Sequence, residues 1–358
     1  MISWPISSPP STMPAENGAA ALAGKTGIPG TPGLLRRFDA MVLSRVNRWI
    51  ARTHPGIVRG LRKARRRQTG KGRINIAVPR TVNEKFAWRK IFDHDPRFTV
   101  LSDKVACKDW VRRHFRDVRM PKTLWTGADA SQIPWQAFNT PSVIKARHGC
   151  KMNIFLREPS ADRDAIIAEA NAFVGKRHGE KAHEWAYSDV PSGLIVEELL
   201  FAGDWCFDVK IYTFGREIGQ VVPIYTRGDQ RNAAMWLMED DGVLRLSDEY
   251  TAVSDEIDQT PLPQHIDEML AIASEIGAHF DHMRVDFLCN DTEFFLGELT
   301  VYNLSGKYSH HGFEEDYRDN RLWDIRRSRF LSQRQRGWRG IYQGALRREL
   351  DRIDAAGG

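Results

Sequence analysis

The stretch MRVDFLCNDTEFFLGELTVYN, from Met283 to Asn303, sets two apolar runs on either side of a polar turn. Its richness in Val, Phe and Leu predicts a β-hairpin. Yet Arg284, Asp286 and Glu298 stand inside the strands. With a three-residue loop at Asn290–Thr292, Asp286 falls opposite Leu296, and Glu298 points to the same face beside it. Arg284 shares that face by alternation. A two-residue loop puts the two acids on opposite faces instead. Two neighbouring carboxylates in a low-dielectric site repel unless a cation neutralises them. Mg²⁺ takes oxygen ligands, commonly one or two carboxylates plus phosphate oxygens. The hairpin therefore points to a metal–nucleotide site. The competing reading is a surface hairpin whose charges pair with Arg or Lys.

Working outward, the chain has 358 residues, enough for two or three subdomains. Hydrophobic residues make up 42% and charged residues 27%, the balance of an ordinary globular protein. The net charge of +6 is concentrated in residues 34–73 and in the last forty positions, which favours anionic partners. Cys107, Cys150, Cys206 and Cys289 are far apart and match no zinc spacing, so a reducing compartment is expected. No run of eighteen apolar residues predicts a membrane span, and no secretory leader opens the chain. These features predict a cytoplasmic protein.

Residues 1–33, rich in Pro, Gly, Ala and Ser, read as a disordered tail. Residues 34–78 form a basic helical arm. Leu34, Leu35, Phe38, Met41, Val42, Val46, Trp49 and Ile50 recur at helical spacing, and GLRKARRRQTGKGR follows. This arm is either a helix packed on the domain with a solvated basic face or a device for an anionic surface, a peripheral membrane contact included. After Pro79, two helices break at Asp95-Pro96, with Ser102 or Asp103 as N-cap of the second. PSVIKARHG and SGLIVEELL read as strands, residues 161–176 as a helix, and CFDVKIYTFGREIGQVVPIYT as a hairpin turning near Gly215. Residues 262–279 fit an amphipathic helix, and the C-terminus is helical and basic. Antiparallel hairpins without alternating βαβ units predict the α+β class. Lys145 stands in mid-strand, where an unpaired ammonium is costly; it either pairs with an acid or meets a phosphate. Lys104 follows Asp103, and the strand around Glu197 offers backbone to a flat base.

In register, SDKVACK, PSVIKARHG, LIVEELLFAGDW, FDVKIYTFG and MRVDFL…FFLGELT resemble the ATP-grasp enzymes, and most of all the TupA-like ATP-grasp family of polysaccharide and teichuronopeptide biosynthesis. The resemblance spans Pro79 to Gly312. It implies an ATP-grasp fold of two α+β lobes clasping ATP: an N-terminal lobe over 79–142, a central lobe over 143–205 and a C-terminal lobe over 206–312, with a basic tail over 313–358. It implies that Lys104 and Lys145 hold ATP phosphates, that His148-Gly149-Cys150 covers them, and that the Glu197–Leu200 backbone reads adenine. Either Glu197 or Glu198 faces the exocyclic amine, and Asp204 falls at the ribose. Lys210 and Arg227 match basic residues that face the phosphates and the acceptor. Asp286 and Glu298 match the Mg²⁺ ligands, and Arg284 matches an arginine on the tetrahedral intermediate. Relatives carry Asn two residues after the metal Glu. Here Thr300 stands there, and Asn303 is the candidate replacement, the alternative being a weaker metal site. The single glycine of the 148–150 loop also departs from the family pattern.

The implied activity is ATP- and Mg²⁺-dependent ligation of a carboxylate to an amine through an acyl phosphate, on a polysaccharide or sugar uronate. The basic balance suits such an acidic acceptor, and Arg227, Arg231, Tyr308, His310 and His311 are candidates to line its site. The alternative within the fold is a kinase acting on a sugar or another small acceptor. A nucleic-acid-binding protein built on the 34–73 arm is a third reading. Against it, the basic run after Arg59 has no interleaved aromatics and no recognised nucleic-acid motif appears.

Overall fold

A computed structural model describes residues 31–135, 140–157, 162–202, 206–227, 230–248, 259–307, 313–314 and 317–357. Asp204, Tyr308, His310 and His311 lie outside the described residues, and so does nearly all of the N-terminal tail. Two basic helices come first, α1 (Thr31–Thr53) and α2 (Pro55–Thr69). The first helix therefore starts before Leu34. Three short helices follow: α3 (Val82–Phe92), α4 (Pro96–Ser102) and α5 (Lys104–His114). Their boundaries are written locally. Thr81 and Glu84 form a capping box on α3, the Asp95 carboxylate accepts from Arg97 N beside Pro96, and Asp103 caps α5 by accepting from Val105 N.

The strands form two antiparallel sheets. The smaller runs β1 (Thr123–Gly127), β4 (Leu194–Glu198), β2 (Ser142–Ala146), β3 (Asn153–Leu156). The larger runs β11 (Phe294–Thr300), β10 (Met283–Cys289), β5 (Cys206–Phe214), β6 (Glu217–Arg227), β8 (Trp236–Met238), β9 (Leu244–Leu246), with β7 (Gln230–Ala233) also on β6. Helix α6 (Arg163–Val174) packs on the small sheet, and α7 (Ile266–Gly277) packs on β5, β6 and β10. Gly215 turns β5 into β6 with φ +65°. A Cβ at Gly277 would strike the Gly215 carbonyl, so glycine there lets α7 approach the turn. The chain ends in α8 (Arg318–Leu322), α9 (Arg329–Ser332) and α10 (Gly337–Gly357). The α+β class follows directly from this order.

Each sheet has its own core. Ile144, Ala146, Leu194 and Val196 of the small sheet meet Ala170 and Phe173 of α6. The large core joins the seven-stranded sheet to Phe86, Trp88 and Phe92 of α3, Ile57, Val58 and Leu61 of α2, and Trp323, Tyr342 and Leu346 of the C-terminal segment. The basic segments at the two ends are thus partly core elements. Apolar stripes anchor them and their charge faces outward. The expected boundary at residue 142 does not separate the sheets: β1, from before it, pairs with β4, while α3–α5 join the large core.

The hairpin at 283–303 differs from the sequence reading in its register. Its turn has four residues, Asn290 to Glu293, closed by the Asn290 side chain accepting from Thr292 N at 2.9 Å and Glu293 N at 3.0 Å. Phe287, not Asp286, lies opposite Leu296. A four-residue turn with regular pairing would set Glu298 opposite Val285, on the core face. A bulge at Gly297 absorbs one residue and sets Asp286 directly opposite Glu298.

Candidate active site

The polar face of the large sheet is built by three adjacent strands. Asp286 pairs across β10 with Glu298 on one side and Lys210 on the other. Arg284 likewise stands between Thr300 and Tyr212. Alternation sends Val285 and Phe287 into the core and leaves Arg284 and Asp286 on the opposite face. Arg284 Nε and Nη2 donate to the two Asp286 oxygens at 2.7 and 2.6 Å, and Nη2 also reaches Thr300 Oγ1 at 3.1 Å. Lys210 Nζ donates to both oxygens of Asp208 at 2.8 and 2.7 Å and to Asp286 at 3.4 Å. Burial alone would raise the Asp286 carboxyl, but the Arg284 guanidinium and Lys210 hold it below the usual carboxylate range. Burial pulls the Lys210 ammonium down, and Asp286 and Asp208 more than restore it. Glu298 differs from its neighbour. Its side chain has no hydrogen-bonding or ion-pair partner among the described residues, and the residue is half-buried.

In the small sheet, Glu197 is buried between two lysines. Lys145 Nζ lies 2.8 Å from its Oε2, and Lys108 binds its other oxygen. Burial pushes the Glu197 carboxyl up, and Lys145 and Lys108 outweigh it, leaving the group below its ordinary range. Lys108 is closed in, donating also to the Pro121 carbonyl and the Thr123 hydroxyl, whereas Lys145 keeps 22% of its side chain exposed. The strand reading of Lys145 left a choice between an acid and a phosphate; in this structure it meets an acid. Glu198 accepts from Lys122 N at 2.6 Å, and Leu199 N donates to the Pro141 carbonyl. The backbone of Leu200, just past the strand, has no partner among the described residues.

The loop after β2 is latched to the start of α5. Arg147 grips both oxygens of Asp103 at 2.6 Å, Lys104 N donates to Arg147 O, and Lys104 Nζ donates to the Gly149 carbonyl. His148 is buried, its Nε2 2.7 Å from the Lys176 carbonyl, so its ring is a loop anchor in this structure. Cys150 is exposed beside His178, at 3.5 Å. Burial, then the Glu298 charge, pushes the Cys150 thiol and the Tyr187 phenol up.

The structure thus brings Arg284, Lys210, Asp286 and Glu298 together on one face, and Lys145 and Glu197 together in the other sheet. Asn303 is fully buried, with Oδ1 3.0 Å from His282 Nε2. Only the backbone of Arg227 is described; it closes β6 opposite Gln230. Sequence reasoning missed Lys108, Asp208 and Tyr212 as members of these clusters. Lys108 could have been found four residues after Lys104 on the same helix face, and Asp208 two residues before Lys210 on the same strand face. Among the described residues no three His, Cys, Asp or Glu side chains converge on one point. The donor set still fits Mg²⁺ brought with a phosphate ligand, since two opposed carboxylates supply part of a coordination shell that phosphate oxygens complete.

A model of the TupA-like ATP-grasp family matches residues 84–324. No curated protein sequence matches the chain. Among solved structures, it is similar to the ATP-grasp ligase PsnB bound to a minimal precursor, at 15% identity over 71% of this chain and 62% of that one, with a TM-score of 0.33. It is also similar to D-alanine–D-alanine ligase from Bacillus anthracis, at 14% identity over 70% of this chain and 69% of that one, with a TM-score of 0.36. The alignment thus spans about three fifths of the length of PsnB. With two thirds of its residues covered by the family model, the chain belongs to the TupA-like ATP-grasp family.

Proposed function

We propose that this protein is an ATP- and Mg²⁺-dependent ligase that joins a carboxylate to an amine through an acyl phosphate and releases ADP. Its substrate is an acidic sugar or polysaccharide precursor in the cytoplasm, coupled to an amine such as an amino acid. The observation that carries this reading is the bulged hairpin, which sets Asp286 opposite Glu298 on a face shared with Arg284 and Lys210. A bulge that costs a ladder bond and lines up two carboxylates is best explained by a cation between them.

In this reading Asp286 and Glu298 hold Mg²⁺, which when bound draws charge from the phosphate oxygens. Lys145, Lys104 and Lys210 hold the phosphates. For Lys145 that means turning from Glu197, which keeps Lys108. The Leu200 backbone and the Glu197–Glu198 strand end face the base, and the 148–150 loop covers the phosphates, with Asp204 at the ribose. Asp286 likewise turns from Arg284, whose freed Nε and Nη2 then offer paired donors to an oxyanion, and Arg227 faces the acceptor. No protein nucleophile is needed, because positioning and electrostatics supply the catalysis.

The experiment is incubation with ATP, Mg²⁺ and uronic acids against the amino acids, reading nucleotide product and product mass. ADP with a mass increment for amide formation supports the ligase. AMP with pyrophosphate overturns the acyl phosphate. ADP with a stable phosphorylated alcohol moves the protein to the kinase reading.

A further inference from the structure

No Asp or Glu occurs between Asp39 and Glu84, and α2 lies in the middle of that span. Its apolar side chains Ile57, Val58 and Leu61 are buried in the large core. Its outward face carries Arg59, Arg62, Lys63, Arg66 and Arg67, all exposed. None of these five has an acidic partner among the described residues. They line one open groove, in a row of about 12 Å at ~1.5 Å per residue. Four of the five are arginines, whose planar fork matches carboxylates and phosphates.

At Gly60 this face meets a second feature. A cavity of about 140 Å³ opens there, lined by Lys90, Lys181, His183, Ser305 and Lys307 together with α2. Lys90 is engaged by the Ala182 and Ser305 carbonyls, and Glu184 lies close enough to offset part of its charge. Lys181 and Lys307 are exposed and have no ion-pair partner among the described residues. Ser305 and Gly306 line this cavity; with Leu304 they are three successive left-handed residues, at φ 50°, 53° and 66° for Leu304, Ser305 and Gly306, shortly after Glu298 and Thr300 on β11. The basic surface therefore continues from α2 through Gly60 to the segment that follows the metal-binding hairpin.

We infer that the α2 face and the adjoining lysine cavity form a track for an extended polyanionic chain, a polyuronate, which holds the acceptor polymer beyond the unit that reacts. This rests on the ligase reading for the identity of the polymer. The shape favours a linear chain over a membrane, because a row of cations ends in a cavity. A bilayer dock also needs apolar anchors; the exposed Leu34, Leu35, Phe38 and Met41 stand on α1, and α2 itself exposes no large hydrophobic residue.

The test is direct binding of size-defined oligogalacturonates to the full chain without ATP, by fluorescence anisotropy at several salt concentrations. Affinity is expected to rise at least tenfold from trimer to dodecamer and to fall with salt. The double variant Arg62→Glu/Arg66→Glu should lose at least tenfold for the dodecamer, with its melting temperature unchanged. Arg245→Glu, on β9 and outside the groove and cavity linings, should lose little. Equal affinity for trimer and dodecamer, or an unaffected double variant, overturns the track. Binding to phosphatidylglycerol vesicles that the double variant loses, with polymer binding unchanged, overturns it in favour of a membrane dock. If the polymer fails to bind while wild-type protein still releases ADP with a monouronate and an amine, the track is wrong and the ligase reading stands. If the polymer binds and no uronate drives ADP release, the ligase reading fails on its own.

Discussion

Two arginine–carboxylate pairs stand in the same fold, one sealed in the core and one with a second acid opposite it. In the large core, Arg89 donates to Asp281 at 2.7 Å, to the Val301 carbonyl at 2.9 Å and to the His282 carbonyl at 3.1 Å, and it lies over Phe98 and Trp323. Trp323 Nε1 takes the other Asp281 oxygen. On the sheet face, Arg284 and Lys210 also surround an acid, but the Glu298 side chain opposite it makes no hydrogen bond or ion pair among the described residues. The first pair ties α3 to the C-terminal strands and is closed to any ligand. The second has a carboxylate to spare. Burial and a short ion pair do not separate structure from chemistry here; an unmatched charge does.

The sharpest break between the two pairs is removal of each arginine. Arg89→Ala leaves Asp281 charged in the core and should cost roughly 3–5 kcal/mol, read as a shift of the urea midpoint. If Arg89→Ala unfolds no more easily than Arg284→Ala, the core pair is not the structural one.

One pH effect on stability has its source in the core. Asp93 keeps one oxygen on Phe330 N at 2.8 Å, and its other oxygen is buried without a partner. Burial, then the nearby Asp281, pushes its carboxyl from 3.8 up to about 7. The folded protein thus holds a proton there that the unfolded chain has lost. This contribution to stability is fully present below about pH 4 and is lost as pH rises through about 7. His282, pushed down to about 3 by burial, acts with the opposite sign as pH falls from 6.5. Asp93→Asn should therefore be compared with wild type at each pH, so that His282 cancels. The variant's advantage should grow between pH 5 and 8. A constant difference would show that Asp93 stays ionised in the fold.

On the sheet face the effects should appear in turnover. Glu298→Gln should lower Mg²⁺-dependent ATP turnover by roughly 10²-fold or more at unchanged stability, since it gives up no partner. Arg284→Lys should keep nucleotide binding and lose ligation by roughly 10²-fold, because lysine cannot reproduce the paired donors. Chelation of Mg²⁺ should abolish turnover in every variant. Glu298→Gln with near-wild-type turnover would remove the metal assignment.

The unequal legibility of the two pairs has a physical cause. Asp286 and Glu298 were visible because charge inside a period-2 apolar pattern is locally costly. Arg89, in FAWRKIF, was not, because a basic residue every few positions is normal on a helix, and its partner is 192 residues away. The helix starts and stops were legible for a similar reason: Asp95-Pro96 and Asp103 act within one turn. Register was legible only in part. A bulge at Gly297 is a tertiary compromise between a four-residue turn and two faces, and nothing in the glycine alone announces it. Lys145 was singled out by its strand, but its acid, Glu197, could be found only once β2 and β4 were adjacent.

That lysine gives the smallest and most discriminating prediction. Glu197 is shared between Lys145, which keeps 22% of its side chain open, and Lys108, which keeps 4%. Removing Lys145 leaves the acid paired with Lys108, so Lys145→Ala should barely change the urea midpoint. Removing Lys108 also leaves the Pro121 carbonyl and the Thr123 hydroxyl without their donor, so Lys108→Ala should destabilise the small sheet. If Lys145 serves phosphate, its loss should weaken ATP binding about tenfold, or ~1.4 kcal/mol, and leave adenosine binding unchanged, because a charge-assisted bond to phosphate is absent from the nucleoside. Titration calorimetry with both ligands separates the cases. Equal weakening of ATP and adenosine would return Lys145 to the same structural role as Lys108, and the two-lysine cluster would then be a second closed ion pair like the one around Arg89.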